Sequence, residues 1–533
     1  MQKYLRSFRI AVSILMLVAV GFLFLDFSHK VPSVWFQRLT WLQFVPSTIS
    51  FFNSLGHGLA LTAYGFLTVL VLTLLFGRVY CSYICPLGIF QDVIIWISRK
   101  TKRDKKKAQY RFALPKTWVR YSIVVVVCLS LLTGSIFLVN LLEPYSNFGR
   151  FVSDFFRPLY MLINNLLVKV LEAAGWYVLY PVKIAKTDPF ALIVPAVMLL
   201  LVVWFSFRKG RLYCNTVCPG GTFLGLVSKI SLFKIRIDQD VCNKCGKCMF
   251  ACKSQCIDVK QQNVDFTRCV GCGDCLKVCD KNGIRYSLAP AGKEKKQKPD
   301  SSKRRFVAES LIFITAIGGL SFPVTAQNRR RKRGEKGSGI GTGNMKMENI
   351  HPVSPPGSLA FEHFTDACTA CHLCVSACPT GVLKPSFLQY GFFGMMQPYM
   401  DYHTSFCNFE CVKCTEVCPS KALIPLTKEE KIVTQIGKVR FIKRNCIVNT
   451  DETACGSCSE HCPTQAVKMV PYKGDLTIPK VNIDICVGCG ACEYACPVTP
   501  HKAIIVDGNP VHAIVQKPEE KDLEEAPIED FPF

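Results

Sequence analysis

Four apolar runs of about twenty residues alternate with polar segments in the N-terminal part of the chain. Each approaches the length that a membrane-spanning helix needs, about 20 residues, so the pattern predicts four spans. A further stretch, Phe155–Tyr180, is apolar but interrupted by polar residues, which predicts an interfacial or re-entrant element. No small-residue cleavage site follows the first run, which favours an uncleaved anchor. The runs are Phe8–Leu25, Leu59–Phe76, Val119–Leu142 and Pro189–Phe207.

Basic residues crowd some of the polar segments and leave others nearly free. The chain has 64 Lys and Arg against 39 Asp and Glu, a formal charge of +25. They concentrate near the N-terminus, in the segment 78–116 and directly after Phe207, whereas His29–His57 has few. By the positive-inside rule, the basic segments face the cytoplasm. We therefore predict a multi-pass protein of the inner (cytoplasmic) membrane and expect no nucleic-acid partner.

Cysteine supplies the second signal, because 24 of the 30 cysteines fall into six runs with ferredoxin spacing. Such runs of thiolates hold [4Fe–4S] clusters, which prefer soft sulfur ligands. Disulfide scaffolds are mostly small secreted domains, and zinc knuckles use paired C-x2-C or Cys/His sets, so both alternatives are disfavoured. The runs predict about six [4Fe–4S] clusters. The expected fold is an α-helical membrane domain with four to five spans and two α+β modules like bacterial ferredoxins.

Two of the runs form a first module. In two-cluster ferredoxins the fourth cysteine of each run ligates the other cluster. One cluster is then expected on Cys242, Cys245, Cys248 and Cys279. The second is expected on Cys269, Cys272, Cys275 and Cys252. The spacing favours Cys252, although Cys256 is also available, and Lys253 and Asp280 stand where a proline usually follows the fourth cysteine.

The other four runs form a second module, and every one of them ends in C-x3-C-P. Sixteen thiolates suit four clusters. The spacing does not say which runs exchange their fourth cysteine, and a nesting of the first with the fourth and the second with the third is one plausible arrangement. The runs are Cys368/Cys371/Cys374/Cys378, Cys407/Cys411/Cys414/Cys418, Cys446/Cys455/Cys458/Cys462 and Cys486/Cys489/Cys492/Cys496.

A short motif occurs twice, each time after an apolar run: GRVYC…CPLG at 77–88 recurs as GRLYC…CPGG at 210–221. Cysteines four residues apart lie on one face of a helix, and the proline ends, kinks or starts a helix. Four thiols could then meet near the cytoplasmic membrane face as an additional redox or metal site. The alternative is a set of inert structural thiols. The four are Cys81, Cys85, Cys214 and Cys218.

Composition divides the chain into five parts. The linker contains an apolar segment, Phe306–Ala326, that could be an anchor or an export signal, and the tail is acidic and predicted to be disordered. The parts are the membrane domain 1–235, the dicluster module 236–290, the linker 291–356, the four-cluster domain 357–515 and the tail 516–533.

The residues of both halves resemble known families. The N-terminal half, with GRVYCSYICPLG, GRLYCNTVCPGG and the dicluster module, resembles the NapH/MauN membrane ferredoxins, which share C-x3-C-P features with NosR. The C-terminal half, with PPGSLAFEHFTDACTACHLCVSACPTGVL, resembles the NapG/MauM four-cluster ferredoxins. Most of the chain is thus similar to a NapH–NapG fusion. NapG-like proteins begin with a twin-arginine export signal, and Ser302–Phe306 with the apolar run after it is similar to one.

The resemblance implies quinol oxidation at the membrane and delivery of electrons to a periplasmic redox partner, a reductase or a cytochrome. The chain would be a component of a quinol dehydrogenase, with a cytoplasmic dicluster module and a periplasmic four-cluster domain. No haem-ligand histidine pair is apparent, so the route across the membrane is unexplained. No catalytic residue is assigned; His57 and Glu143 could take quinol protons, but a capping or interfacial role is more usual there. C-x3-C-P with a ferredoxin also resembles the FixG/RdxA maturation proteins, so metal-centre maturation or copper reduction is the alternative.

Overall fold

The computed structural model describes residues 4–26, 31–54, 61–101, 110–184, 187–288 and 351–516. Several predicted features lie outside these ranges. They are His57, most of the basic loop after Thr101, residues 291–350 of the linker with its apolar and twin-arginine-like segments, and nearly all of the acidic tail.

Helices make up the N-terminal part. Among the described residues two are long and apolar enough to cross a membrane, Tyr4–Leu25 and Pro189–Lys209, and two shorter apolar helices cover Tyr64–Phe76 and Thr117–Leu132. The helices are α1 Tyr4–Leu25, α2 Ser33–Thr40, α3 Phe44–Ser54, α4 Leu61–Phe76, α5 Tyr80–Tyr83, α6 Pro86–Thr101, α7 Thr117–Leu132, α8 Phe137–Leu142, α9 Pro144–Phe151, α10 Arg157–Ala173, α11 Ile193–Lys209 and α12 Pro219–Val227. π-helices cover Val152–Phe156 and Tyr213–Val217, and 3-10 turns cover Pro189–Leu192 and Ser228–Ile230.

The third apolar run is not one helix, contrary to the prediction. α7 ends at Leu132, and Gly134 takes a left-handed conformation (φ 78°) before α8 begins. Glycine reaches this region without steric cost, so it reverses the chain inside an apolar stretch where hydrophobicity gives no warning. The interrupted stretch after it forms α10, whose Asn165 pairs with the backbone of Val182 through two hydrogen bonds of 2.8 Å.

The dicluster module is built from two small antiparallel ladders and two short helices. β1 pairs with β4 from Phe233↔Leu288 to Ile237↔Ile284, so the module's first and last strands close it. β2 pairs with β3. The elements are β1 Phe233–Ile237, α13 Lys247–Ala251, β2 Ile257–Asp258, β3 Asn263–Val264, α14 Asp274–Val278 and β4 Ile284–Leu288.

The four-cluster domain repeats this plan with its own buried core. Antiparallel pairs join β5 to β6, β8 to β9, and β7 to β10. The strands are β5 Leu383–Pro385, β6 Pro398–Met400, β7 Thr434–Phe441, β8 Val467–Pro471, β9 Thr477–Val481 and β10 Ile504–Ile514. The helices are Phe361–Ala367, Leu373–Ala377, Lys413–Glu416, Lys428–Val433, Ile447–Thr450, Ser457–Glu460 and Ala491–Ala495, with 3-10 turns at Lys443–Asn445 and Ile483–Ile485.

Helix α1 contacts both cysteine-rich parts. Near its N-terminus, Arg6 Nε donates to Asp274 Oδ1 of the dicluster module at 2.9 Å. Toward its C-terminus, Leu23 and Phe24 share one buried core with Leu373, in a helix of the four-cluster domain. The two cysteine-rich parts therefore meet the helical domain at opposite ends of α1.

Candidate iron–sulfur centres and the four-thiol site

The structure gathers the cysteines of the dicluster module around two cavities. The first cavity, of about 30 Å³, is lined by the four thiols that the sequence groups together: Cys242, Cys245, Cys248 and Cys279. The second is lined by five thiols: Cys252, Cys256, Cys269, Cys272 and Cys275. The fourth cysteine of each run thus lies beside the other run, because α13 packs on α14.

The extra thiol in the second cavity belongs to Cys256. Its Sγ lies 3.5 Å from Cys252 Sγ, and both side chains are buried. Either sulfur can be the donor in this contact, and both thiols line the second cavity. The preference for Cys252 as the ligand rests on its spacing in the run.

The residue that replaces proline after Cys252 has a structural task. Lys253 is buried, and its Nζ lies 2.5 Å from Asp92 Oδ2 in α6 and 3.6 Å from Asp274 Oδ2. Arg9 and Arg211 also pair with Asp92. Burial opposes ionisation of Asp92, yet the cations around it hold the pKa of this carboxyl below its usual range. A lysine thus stands where a proline is usual, and its charge joins the dicluster module to the helical domain.

The four-cluster domain pairs its runs consecutively, so the nested arrangement is wrong. Cys446, Cys455 and Cys458 of the third run share a cavity with Cys496 of the fourth. The other set joins Cys462 of the third run to the fourth run. After burial, the charges of Cys489, Cys486 and Cys462 raise the pKa of Cys492.

The first two runs are related in the same way. After burial, the charges of Cys368, Cys371 and Cys418, and then that of Cys414, raise the pKa of Cys374. Those that raise the pKa of Cys414 are Cys407, Cys378 and Cys411. The physical reason is local packing: helix Leu373–Ala377 lies on Lys413–Glu416, and Ser457–Glu460 lies on Ala491–Ala495.

Left-handed backbone follows the second cysteine in four of the six runs. Gly246, Gly273 and Gly490 have φ between 72° and 80°, and each starts a short helix. Glycine suits this conformation, as expected from sequence. His372 takes the same position in the third run, after Cys371, at φ 63°. A non-glycine residue there signals a local constraint, which its side-chain contacts with the helical domain supply.

The two C-x3-C-P repeats meet inside the helical domain. All four of their thiols are buried in one core. Pro86 begins α6 and Pro219 begins α12, where a proline costs no hydrogen bond. Burial and then the charges of Cys214, Cys81 and Cys218 raise the pKa of Cys85, so the four groups are electrostatic neighbours.

The repeats are related by reciprocal contacts. Arg211 Nη1 donates to the Cys81 carbonyl at 2.7 Å, and Arg78 Nη2 donates to the Cys214 carbonyl at 3.1 Å. Each arginine of one repeat thereby holds the first cysteine of the other. The repeat was visible in sequence, and so was the Gly-Arg before each Tyr-Cys, but the cross-bonding of Arg78 and Arg211 was missed because periodicity says nothing about partners.

Other candidates from the sequence take ordinary roles. Glu143 is fully buried and caps α9, accepting hydrogen bonds from the backbone of Tyr145 and Ser146. This is the capping role weighed against a proton-transfer role. Within the described ranges no three His, Cys, Asp or Glu side chains are close enough to hold one metal ion. The cavities lined by four or five thiols, with backbone N–H groups beside them, instead suit the donor set of iron–sulfur clusters.

Comparison with known proteins supports this chemistry. A 4Fe-4S binding domain family matches residues 60–104 and 190–238, which carry both C-x3-C-P repeats. Three families of 4Fe-4S dicluster domains match 265–382, 367–423 and 453–499. These matches show ferredoxin domains that hold multiple [4Fe–4S] clusters.

Several curated relatives are similar over part of the chain. The ferredoxin-type protein NapF of Escherichia coli is 28% identical over 161 residues, 30% of this chain and 89% of NapF. NapG of the same organism is 27% identical over 37% of this chain and 83% of its own length. The methylamine utilization ferredoxin-type protein MauM of Methylophilus methylotrophus is 33% identical over 27% of this chain and 66% of its own. Part of the chain is thus similar to ferredoxins of the NapG/MauM type, and its ferredoxin domains support a function in iron–sulfur electron transfer. No solved structure matches the chain.

Proposed function

We propose that this chain is a membrane-bound carrier that passes electrons from the quinol pool to a respiratory reductase, as a NapH/MauN-type membrane ferredoxin joined to a NapG/MauM-type one. The 24 cysteines of the six runs, with Cys252 rather than Cys256, hold six [4Fe–4S] clusters. The observation that carries the proposal is the position of the dicluster module and the four-cluster domain at opposite ends of α1.

The length of α1 fits a membrane. Its 22 residues span about 33 Å, against a hydrocarbon core of about 30 Å. Large apolar side chains on its outer face are exposed, among them Leu15 at 68% and Val18 at 63%. α11 likewise exposes Leu200. Contiguous apolar surface of this kind suits lipid, and α4 and α7 complete the four proposed spans.

The orientation follows from charge. Arg6 and Arg9 at the start of α1 lie beside the dicluster module, which the positive-inside rule places in the cytoplasm. At the other end, Gln37, from the segment poor in Lys and Arg, donates to the Glu416 carbonyl of the four-cluster domain at 3.3 Å. The four-cluster domain is then periplasmic, where a soluble reductase or cytochrome can reach it.

The chemistry balances simply. Oxidation of one quinol to quinone releases two protons and two electrons, and the acceptor takes both electrons. A [4Fe–4S] cluster, when bound, accepts and returns one electron at a time. The protein residues supply thiolate ligands, backbone hydrogen bonds to them and burial from water.

The test uses the full-length protein purified anaerobically and returned to lipid vesicles. A reduced menaquinol or ubiquinol analogue should bleach the clusters and give the EPR spectra of reduced [4Fe–4S] centres. Failure of every quinol to reduce a cluster-replete protein contradicts the proposal. If quinol fails while cupric ion is reduced, the maturation or copper-reduction role is favoured instead. Reporter fusions after residue 516 check the orientation: a cytoplasmic signal contradicts it.

A further inference from the structure

The two C-x3-C-P repeats build one site rather than two. Arg78 of the first repeat donates to the Cys214 carbonyl of the second, and Arg211 of the second donates to the Cys81 carbonyl of the first. Each repeat therefore needs the other to complete its part of the site. Cys218 Sγ accepts a hydrogen bond from the Gly221 N–H at 3.2 Å, the kind of backbone bond that surrounds cluster ligands. The four thiols thus form a single buried set with donors already arranged around it.

Two glycines allow close contact within each repeat. A Cβ on Gly88 would lie 2.2 Å from the Cys81 carbonyl oxygen, and one on Gly221 would lie 2.4 Å from the Cys214 carbonyl oxygen. Each glycine therefore lets the helix after the proline press against the first cysteine of its own repeat. The two contacts are equivalent, although Cys81 lies in a short α-helix and Cys214 in a π-helix.

The buried positive charge of Arg78 at this site has no carboxylate partner among the described residues. Arg78 is fully buried, and in the part of the chain that the structure describes it forms no ion pair with a carboxylate. Its partners are the neutral groups Asn215 Oδ1 and Thr267 O, and its Nη2 lies 3.8 Å from Cys81 Sγ. A buried cation without a counter-charge is costly. Among its partners in the described residues, the Cys81 thiol is the group that can become an anion.

Neutral thiols would leave that cost in place. Metal binding deprotonates such thiols outright. Four thiolates around an iron–sulfur core carry a net charge of about −2, which Arg78 would offset in part; Arg211 is already paired with Asp92.

The position of the site is the third observation. Ser82 Oγ, next to Cys81, donates to the Val270 carbonyl at 2.7 Å, in the loop between Cys269 and Cys272. The core that holds the four thiols also includes Cys371 of the four-cluster domain. The site lies between the two modules whose connection across the membrane the sequence left unexplained.

We infer that Cys81, Cys85, Cys214 and Cys218 together hold one further iron–sulfur cluster, placed between the dicluster module and the four-cluster domain. Its part in linking the two modules rests on the proposed function, whereas its presence does not. Arg78 acts as a positioning and charge-compensating residue of this site, and Arg211 acts as a positioning residue.

The experiment counts iron, sulfide and copper in the anaerobically purified full-length protein, with native mass spectrometry of the intact holoprotein. Six clusters account for about 24 irons per chain. We expect about two more for a [2Fe–2S] centre or about four more for a [4Fe–4S] centre. The double variant C81S/C214S should lose these and keep the remainder. The matched control is Cys128→Ser, a half-buried cysteine of α7 outside the site, which should retain the full count.

Equal iron and sulfide in C81S/C214S and C128S would overturn the inference, as would one copper per chain in place of the extra iron. If the double variant does not accumulate, the wild-type count still decides, because a saturated value of about 24 irons contradicts a further cluster. As a second readout, Arg78→Gln should lower the midpoint potential of one centre while Arg78→Lys largely restores it. Failure of quinol reduction with the extra iron present would instead count against the proposed function alone.

Discussion

His372 and Asp154 meet at 2.9 Å across the boundary between the four-cluster domain and the helical domain, and both are buried. The other ring nitrogen, Nε2, lies 2.8 Å from the Met396 carbonyl. Because a carbonyl only accepts, Nε2 is the donor of that hydrogen bond, and Nδ1 faces the Asp154 carboxylate. The π-helix Val152–Phe156 presents this carboxylate, as such irregular turns often do at functional positions.

Removal of the Asp154 carboxylate should loosen this boundary. We expect Asp154→Ala to destabilise the docking by about 3–5 kcal/mol, since it leaves a buried imidazole with one partner. Hydrogen exchange should rise in helix Leu373–Ala377 and in α9. Asp154→Asn, which keeps an acceptor for the ring, serves as the control with a smaller rise. Unchanged exchange in the alanine variant would show that this contact does not hold the domains together.

The buried Lys253, which stands in place of a proline, should contribute more to the free energy of unfolding than the exposed Lys247. Lys253→Met leaves Asp92 and Asp274 buried with fewer cations, and we expect a loss of about 3–5 kcal/mol in the free energy of unfolding. Lys247→Met is the matched control, because its pair with Asp280 is on the surface and should change little. Denaturant titration in detergent measures both. Equal effects of the two substitutions would contradict the docking role of Lys253.

Gly88 and Gly221 allow a test of how tightly each C-x3-C-P repeat packs against its own first cysteine. Gly88→Ala and Gly221→Ala place a methyl group against a cysteine carbonyl, and overpacking of this kind costs about 1–3 kcal/mol. Gly21→Ala is the control: it lies in helix α1, and its Cβ would meet only the Phe148 ring at 4.0 Å. Thermal unfolding should show a loss of stability for Gly88→Ala and Gly221→Ala and no loss for Gly21→Ala. A neutral result at Gly88 and Gly221 would mean that the contact relaxes freely.

The stability of the four-cluster domain should fall in mild acid through His512. Burial, and then the charge of Lys431, lowers the pKa of His512 from 6.5 to about 4. Between these values the unfolded chain binds a proton that the folded one does not, so stability decreases as pH falls from about 6.5 toward 4, by up to about 3 kcal/mol. His512→Gln should flatten this slope in denaturant titrations between pH 5 and pH 7. The same slope in both proteins would assign it to other groups.

Much of this protein can be anticipated from local patterns. Ferredoxin runs bring their own geometry, because closely spaced cysteines and left-handed glycines such as Gly246 shape the loop without help from distant residues. Apolar runs predict helices for the same reason, and α1 and α11 follow them closely. The failure at Gly134 has an equally local cause that hydrophobicity does not register.

Distant partners are a different matter. The amino-acid sequence by itself determined the six cysteine runs, the repeat around Cys81 and Cys214, and the apolar helices, since these depend on spacing along the chain. Only the tertiary structure decided that consecutive runs exchange their fourth cysteine, that Lys253 docks on Asp92, and that Arg78 reaches the other repeat. Those contacts depend on which short helices pack together, and packing is settled by the shape and charge of segments far apart in the chain.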